Sequence, residues 1–468
     1  MKKTPYLPKI SDVIKDFSYN LHFLFLKIKH FKRRTAFKEC WNILFLNKIR
    51  QFIVLEGLRR TGKTILLQQI YLDILTKTKV NPSDLIYLKL DSPLLSGYQI
   101  QDYIEYFNKT LPRERLIYIF LDEIQSLFEW DKFLKEMFDI FPNIKIMATG
   151  SSSLRLNMKE TGGTRWKKIK LNPLSFVEFI ELKYPQTVLK NINYQSLPKI
   201  HDLWNLNRDQ LEEIQHNCNK LWAFFLQYIF QGSYPESAVH KQMNLDEYQQ
   251  FVFEKIYRKT MADILIFISK LKKSGIKLDA SVFGTLFNKL IFQTGKEFSV
   301  NNFSKESGIK LNSLVEHLKI FEKANLFIKC PRVSPTEKIF FNVPSKYYLV
   351  DHTFYAAYYR YKNIDELREK KGYIYENLVF NHLQSVSGQK QIGFFKFLKR
   401  EVDFTFFRST GEKYLIECKS KKIDSADLSE KFDNADSSFR KICVNENLLN
   451  IKDNVLYIPI TLFLLLEF

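Results

Sequence analysis

Between residues 52 and 171, short apolar runs alternate with longer stretches whose hydrophobic positions recur at helical spacing. Phe52-Ile53-Val54-Leu55, Leu85 to Leu90, Leu116 to Leu121 and Ile144 to Thr149 predict buried strands, and the stretches between them predict amphipathic helices. Parallel strands need a crossover element to carry the chain back, so this alternation predicts a doubly wound parallel sheet. From residue 172 the strand signals stop, and Leu174 to Leu182 and Leu211 to Phe230 predict helices. Residues 280–350 predict a small helical module ending in strands. The last hundred residues return to α/β, with a helix over Tyr375 to Leu383, strands over Val402 to Phe407 and Lys413 to Cys418, and a buried strand from Val455 to Ile460 followed by a helical turn. No internal repeat interrupts this order, and five segments follow: 1–48, 49–171, 172–275, 276–350 and 351–468.

Composition narrows the class. A 468-residue chain with 45% hydrophobic residues can bury several cores, which excludes disorder as its overall state. The first segment is basic and aromatic, with Lys27, Lys29, Lys32, Arg33 and Arg34 close together, and it predicts helix. Its opening lacks the apolar stretch of a signal peptide. The greasiest run, Val455 to Phe468, falls short of the ~20 apolar residues that a membrane span needs. No membrane association is therefore expected. Cys40, Cys218, Cys330, Cys418 and Cys443 lie far apart, form no CxxC pair and fit a reduced, cytoplasmic compartment. The eight histidines form no HExxH pattern, so a zinc hydrolase is not expected. A net charge of +20 points to a polyanion, double-stranded DNA foremost, unless it is spread evenly as a solvated surface.

Directly after the first strand stands Gly57-Leu-Arg59-Arg60-Thr61-Gly62-Lys63-Thr64, which satisfies GxxxxGK[ST] and opens a helical pattern. Glycine lets backbone N–H groups curl round phosphate oxygens, and the helix N-terminus adds its positive end. Gly57, Arg59, Arg60, Thr61, Gly62, Lys63 and Thr64 are thus the expected ATP-binding loop. Lys63 is expected to reach the β- and γ-phosphates, and the Thr64 hydroxyl to reach Mg²⁺. The run Leu116-Ile-Tyr-Ile-Phe-Leu121 ends in Asp122 and Glu123. Asp122 is the expected second metal residue, and Glu123 the base that polarises the attacking water. The next strand ends Thr149-Gly-Ser151-Ser152-Ser153, whose hydroxyls suit a γ-phosphate contact or a helix cap. Ser151 stands for that group, with the choice among the hydroxyls open.

GLRRTGKT, FLDEIQ, ATGSSSLRL, LNPLSFVEFIEL and QGSYPESAV, in that order, resemble the prokaryotic AAA-type ATP-binding proteins that carry an uncharacterised, nuclease-like C-terminal domain. The resemblance runs from about residue 50 to 420. It implies a helical lid over 172–275 and an arginine near the Pro-Leu-Ser-Phe segment that completes the γ-phosphate site. Arg165 is the candidate, within its own chain or from a neighbouring copy of a homo-oligomer, with Arg59 and Arg60 as rivals. The family's usual Gly-Arg pair is split here by Thr164.

Phe298 to Lys310 predicts a short helix closed by a glycine turn, Leu311 to Ala324 a second helix, and Leu326 to Lys329 and Ile339 to Phe341 two wing strands. This is a winged-helix pattern, similar to a module of the same family. Lys310, Asn312, Ser313, His317 and Lys319 would line its exposed face. DNA contact and a purely structural role both stand. In the tail, Glu376 lies on a helix, Asp403 on a strand and Glu417-Cys-Lys419 at the end of the next strand. That layout resembles the PD-(D/E)xK nuclease core, with Val402 where a proline is usual. Asp403 and Glu417 would hold Mg²⁺, Lys419 would position water, and Glu376 would complete the shell. A non-cleaving fold and a chance match stand beside nuclease chemistry. The expected whole is a P-loop doubly wound parallel-sheet ATPase with a helical lid, a winged-helix module and a C-terminal α/β restriction-endonuclease-like domain. It would couple hydrolysis to DNA, act as a nucleotide-gated switch on a protein partner, or license DNA cutting.

Overall fold

The computed structural model describes residues 12, 28, 30–47, 49–95, 97–151, 163–184, 197–239, 243–273, 279–367, 370–386, 392–397, 400–408, 410–420, 431–432 and 438–468. The chain divides into two compact units, Met1–Asn172 and Pro173–Phe468.

In the first unit the apolar runs form five strands: β1 (Phe52–Gly57), β2 (Leu85–Lys89), β3 (Ile117–Asp122), β4 (Ile144–Ser151) and β5 (Trp166–Lys170). They pair in the order β2-β3-β4-β1-β5, all parallel. Successive side chains on a strand point to opposite faces, and this sheet buries both. Phe52, Val54, Ile119, Leu121 and Ile146 face the helices Ile100–Thr110 and Trp130–Ile140 through Tyr103, Phe107, Phe133 and Met137. Ile53, Leu55, Phe120 and Met147 face the helix Lys63–Lys77 and part of the N-terminal segment, whose Phe37, Cys40, Ile43 and Leu44 join the same core. Burial on both faces explains why β1 and β3 read as unbroken apolar runs. β5, at an edge, buries Trp166 and Ile169 and leaves Lys167 and Lys168 exposed.

The second unit opens with helices over Phe176–Lys183, Arg208–Asn219 and Trp222–Gln231. The predicted Leu211 to Phe230 helix is thus two, broken around Lys220. A helix over Ala280–Phe292 then leads into a three-stranded antiparallel sheet. Its strands are β6 (Glu297–Phe298), β7 (Phe327–Cys330) and β8 (Ser345–Leu349), in the order β6-β8-β7. Helices Val300–Ser307 and Leu311–Lys323 lie between β6 and β7. Gly308 ends the first of them in the left-handed region, at φ 70°, where only a residue without a Cβ sits free of strain. The predicted wing strand over Ile339 to Phe341 is absent: Ile339 makes one isolated bridge to Val333, and Ser345–Leu349 supplies the pairing strand. Alternation could not place it, because residues 339–341 are apolar yet exposed.

The tail is a six-stranded mixed sheet of β9 (Ile392–Phe397), β10 (Arg400–Phe407), β11 (Lys413–Cys418), β12 (Phe439–Asn445), β13 (Asn450–Lys452) and β14 (Val455–Pro459). Its order is β13-β14-β12-β11-β10-β9. The helix Lys371–Val386 packs on β10 and β11, and the register of β10 against β9 shifts between Val402 and Thr405. Among the described residues, no helix is long and apolar enough to cross a membrane.

Candidate functional site

The phosphate loop leaves the carboxyl end of β1 and turns through Arg60 and Gly62, both at positive φ, before the helix Lys63–Lys77 begins. A Cβ on Gly57 would stand 2.2 Å from the Leu171 carbonyl oxygen, so only glycine fits where β5 runs past the loop. Thr61 is fully buried, and its hydroxyl donates to the Leu58 carbonyl at 3.0 Å. The Lys63 ammonium donates to the Leu58 and Gly57 carbonyls at 2.7 and 3.2 Å, which lays it across the concave side of the loop. Burial pushes its pKa down to about 8, against the pull of Glu123 and Asp122.

Asp122 ends β3, and almost all its surface is covered. Its Oδ1 accepts from the Thr64 hydroxyl at 3.0 Å and from the Thr149 hydroxyl, and its Oδ2 accepts from the Tyr87 hydroxyl at 3.2 Å. Burial raises its pKa, and the bond from Thr149 opposes that rise. Glu123, one residue on, is at φ 56° and ψ 50°, a left-handed backbone that a β-carbon makes costly. Its amide donates to Thr149 Oγ1 at 3.1 Å, and its carboxylate accepts from Gln125 Nε2. Gln125 Oε1 in turn accepts from the Ser151 amide at 3.3 Å. Lys63, Thr64, Asp122 and Glu123 therefore meet at the carboxyl edge of the sheet. Ser151 joins them through its backbone, while Ser152 and Ser153 lie outside the described residues. The Thr149 hydroxyl enters the network as well.

Arg165 does not join. It precedes β5 and pairs through Nε with Asp139 at 3.1 Å, and its carbonyl accepts from the Phe52 amide at 2.9 Å. Because β1 and β5 are parallel from Phe52 and Trp166 onward, Arg165 sits at the amino end of the sheet. The loop is at the other end, about 16 Å away at ~3.3 Å per residue. Within its own chain it cannot reach a γ-phosphate there. Arg59 is half-buried and Arg60 exposed on the loop itself.

Three contributors carried no sequence signal. Tyr87 and Gln125 read as an ordinary strand tyrosine and turn glutamine. Arg34, from the basic N-terminal run, is buried, and it donates to the Thr61 carbonyl at 2.5 Å and to the Asn172 carbonyl at 2.9 Å.

In the second unit, His317 is not on the exposed face of its helix. It is fully buried, with Nδ1 2.6 Å from the Ser313 carbonyl and Nε2 2.9 Å from the Asp279 carbonyl. Three residues on from Leu314, it falls on the same apolar stripe as Leu318 and Phe321. Lys310, Asn312 and Lys319 are exposed and Ser313 is half-exposed. Lys319 pairs with Glu316.

The four tail candidates converge. The Asp403 amide lies 3.4 Å from Glu417 Oε2, and Asp403 Oδ2 accepts from the Cys418 amide at 2.9 Å. Lys419 pairs with Glu417 at 3.2 Å, and Lys431 also binds that carboxylate. Glu376 accepts from the Tyr348 hydroxyl at 3.2 Å. Burial, with the charge of Asp403 next, raises Glu376 to about 8 and Glu417 to about 7. The unforeseen member is Lys346 of β8, whose ammonium lies 2.7 Å from Glu401, 3.5 Å from Asp403 and 3.6 Å from Glu376. Its burial works against the charged form, but these three carboxylates outweigh it and hold its pKa well above the usual lysine value. Among the described residues, no group of three or more His, Cys, Asp or Glu side chains is arranged to hold a metal ion.

Against this geometry, residues 49–180 match the model of an AAA domain. The first unit is thus an AAA-type P-loop fold. Residues 223–365 and 371–463 match two domains of unknown function, DUF8612 and DUF4143. The chain is 28% identical over 453 residues to an uncharacterized protein of Methanocaldococcus jannaschii, covering 90% of this chain and 86% of that one. It is 25% identical over 420 residues to an uncharacterized protein of Haemophilus influenzae, covering 87% and 88%. Among solved structures, the RuvB Holliday junction branch migration motor of Thermotoga maritima matches 71% of this chain and 94% of its own at 16% identity and a TM-score of 0.25. The ORC1 protein of Aeropyrum pernix, in complex with DNA, matches 78% and 97% at 13% and a TM-score of 0.27.

Proposed function

We propose that the first unit binds ATP with Mg²⁺ in the Gly57–Thr64 loop and hydrolyses it. The observation that carries this reading is the 3.0 Å contact between the Thr64 hydroxyl and Asp122, beside the buried ammonium of Lys63. Two hard oxygen donors at the loop suit Mg²⁺, which takes one or two protein groups and completes its octahedron with phosphate and water. Thr64 and Asp122 would hold it, and the ion, when bound, draws charge from the phosphate oxygens. The chain's own groups do the rest. The loop amides and Lys63 bind and orient the phosphates, Glu123 takes the proton from the attacking water, and Thr149 fixes Glu123 and Asp122 relative to each other.

The test uses the full chain. Lys63→Ala should abolish the heat of Mg-ATP binding, and Glu123→Gln should keep binding while lowering turnover by at least about a hundredfold. Unchanged turnover in purified Glu123→Gln protein would refute the hydrolytic reading.

The arrangement of Ala280–Phe292, β6, the two following helices, β7 and β8 favours a winged-helix reading of this module. With the +20 charge and exposed Lys310, Asn312 and Lys319, it makes double-stranded DNA the favoured macromolecular partner. Turnover stimulated by DNA, steeply weakened by salt, would separate this from a switch acting on a protein partner. If Arg165 serves a γ-phosphate, it serves that of a neighbouring copy. The nuclease-like reading of the tail draws on the meeting of Glu376, Asp403, Glu417 and Lys419. Its donor set does not fit a divalent ion, because Lys346 is among the carboxylates.

A further inference from the structure

The structure assigns Lys346 as the resident cation of the tail's carboxylate cluster: its ammonium stands where a divalent ion would sit, so the tail takes no metal there and cuts nothing. This does not depend on the nucleotide reading of the first unit.

The distances carry the assignment. Mg²⁺ draws its oxygens to roughly 2.0–2.1 Å and Ca²⁺ to roughly 2.3–2.6 Å. Here Glu401, Asp403 and Glu376 stand at 2.7, 3.5 and 3.6 Å from Nζ, one close partner and two looser ones, which is the spacing of an ammonium among acids. A divalent ion at the same centre would stand against that positive charge.

Lys346 belongs to β8, the middle strand of its sheet, paired with Glu297 on one side and Cys330 on the other. Its side chain is 2% exposed, and its ammonium lies 5.6 Å from the centre of the Phe394 ring. The backbone pairing fixes where the stem starts, and the three acids fix where it ends. The remaining acid is provided for separately. Glu417 carries Lys419 and Lys431, so each carboxylate of the cluster has a lysine, and two of the three lysines come from outside the Glu-x-Lys motif. A charge this deeply buried persists only when paired.

The experiment measures Mn²⁺ binding to the full chain without nucleotide, by loss of the free-ion electron paramagnetic resonance signal. Wild type should bind no ion that Asp403→Asn removes. Lys346→Met should gain one site per chain, tighter than any in wild type by on the order of a hundredfold, and Lys346→Met/Asp403→Asn should lose it again. Lys346→Arg, which keeps the charge, should gain nothing. Should Lys346→Met fail to fold, Lys346→Met/Glu401→Gln removes one charge of each sign and is read in the same way. Wild-type binding of one Mn²⁺ per chain that Asp403→Asn abolishes would overturn the assignment without any Lys346 variant. A folded Lys346→Met protein that gains no site would overturn it equally.

Discussion

The Thr149 hydroxyl accepts from the Glu123 amide and donates to Asp122, so a valine of nearly the same shape would unhook both acids while leaving the packing of β4 alone. Thr149→Val should lower ATP turnover about tenfold, the rate equivalent of ~1.4 kcal/mol, with nucleotide affinity by calorimetry unchanged within about twofold. A parallel loss of binding would show that Thr149 supports the loop and not the acids. Residues like this mark the limit of what the sequence discloses. Lys63, Thr64, Asp122 and Glu123 were legible because their chemistry is local: a glycine-spaced loop after one strand, and two acids ending another. Arg34, Tyr87, Gln125 and Lys346 were not, because each acts on a group brought near only by folding. A lysine within Ser-Lys-Tyr-Tyr-Leu looks like any strand lysine until Glu376, Glu401 and Asp403 are packed round it. His317 failed for a different reason: a polar residue on an apolar stripe is read as exposed unless the carbonyls awaiting it are seen.

At the scale of elements, two glycines separate two kinds of constraint. Gly57 is needed for room, since its missing Cβ would meet the Leu171 carbonyl oxygen at 2.2 Å, and β5 cannot retreat while the Leu171 amide donates to Glu56 at 2.7 Å. Gly308 has open space around it but sits at φ 70°. Gly308→Ala should therefore cost only ~1–2 kcal/mol, the left-handed penalty of one residue. Gly57→Ala should cost at least ~1–3 kcal/mol and shift backbone. Urea melts of the two variants, read separately for the two units, give the comparison; equal losses would mean that the loop yields where the structure holds it tight. Four of the first unit's five strands were legible because they are mainly apolar runs buried on both faces, whereas β5 was not, because three of its five residues are lysines. The wing was misplaced because an exposed aromatic run mimics a strand, and the paired strand Ser345–Leu349 carries the polar Ser345 and Lys346 inside. Arg165 belongs to this scale too: a motif says what an arginine follows in sequence, and the parallel register of β1 and β5 decides which end of the sheet receives it.

For the molecule as a whole, the second unit should prefer acid. Glu376 and Glu417 are raised from 4.5 to about 8 and about 7, chiefly by burial. Between 4.5 and those values the folded state keeps protons that the unfolded chain has released, so stability falls as pH rises. The contribution is whole below about 4.5 and gone above about 8, with a slope of at most ~1.4 kcal/mol per pH unit for each group. The urea midpoint of this unit should thus drop between pH 6 and pH 9, and Glu376→Gln, which fixes the uncharged form, should flatten that drop. An unaltered slope would mean that other groups carry it. The first unit has a different whole-chain consequence, and it comes from Arg34. One guanidinium grips Thr61 in the phosphate loop and Asn172, the last residue before the chain leaves for the next unit. Loop and exit are thus tethered to the same planar group, so the phosphate loop and the main chain at Asn172 share a single guanidinium as their anchor.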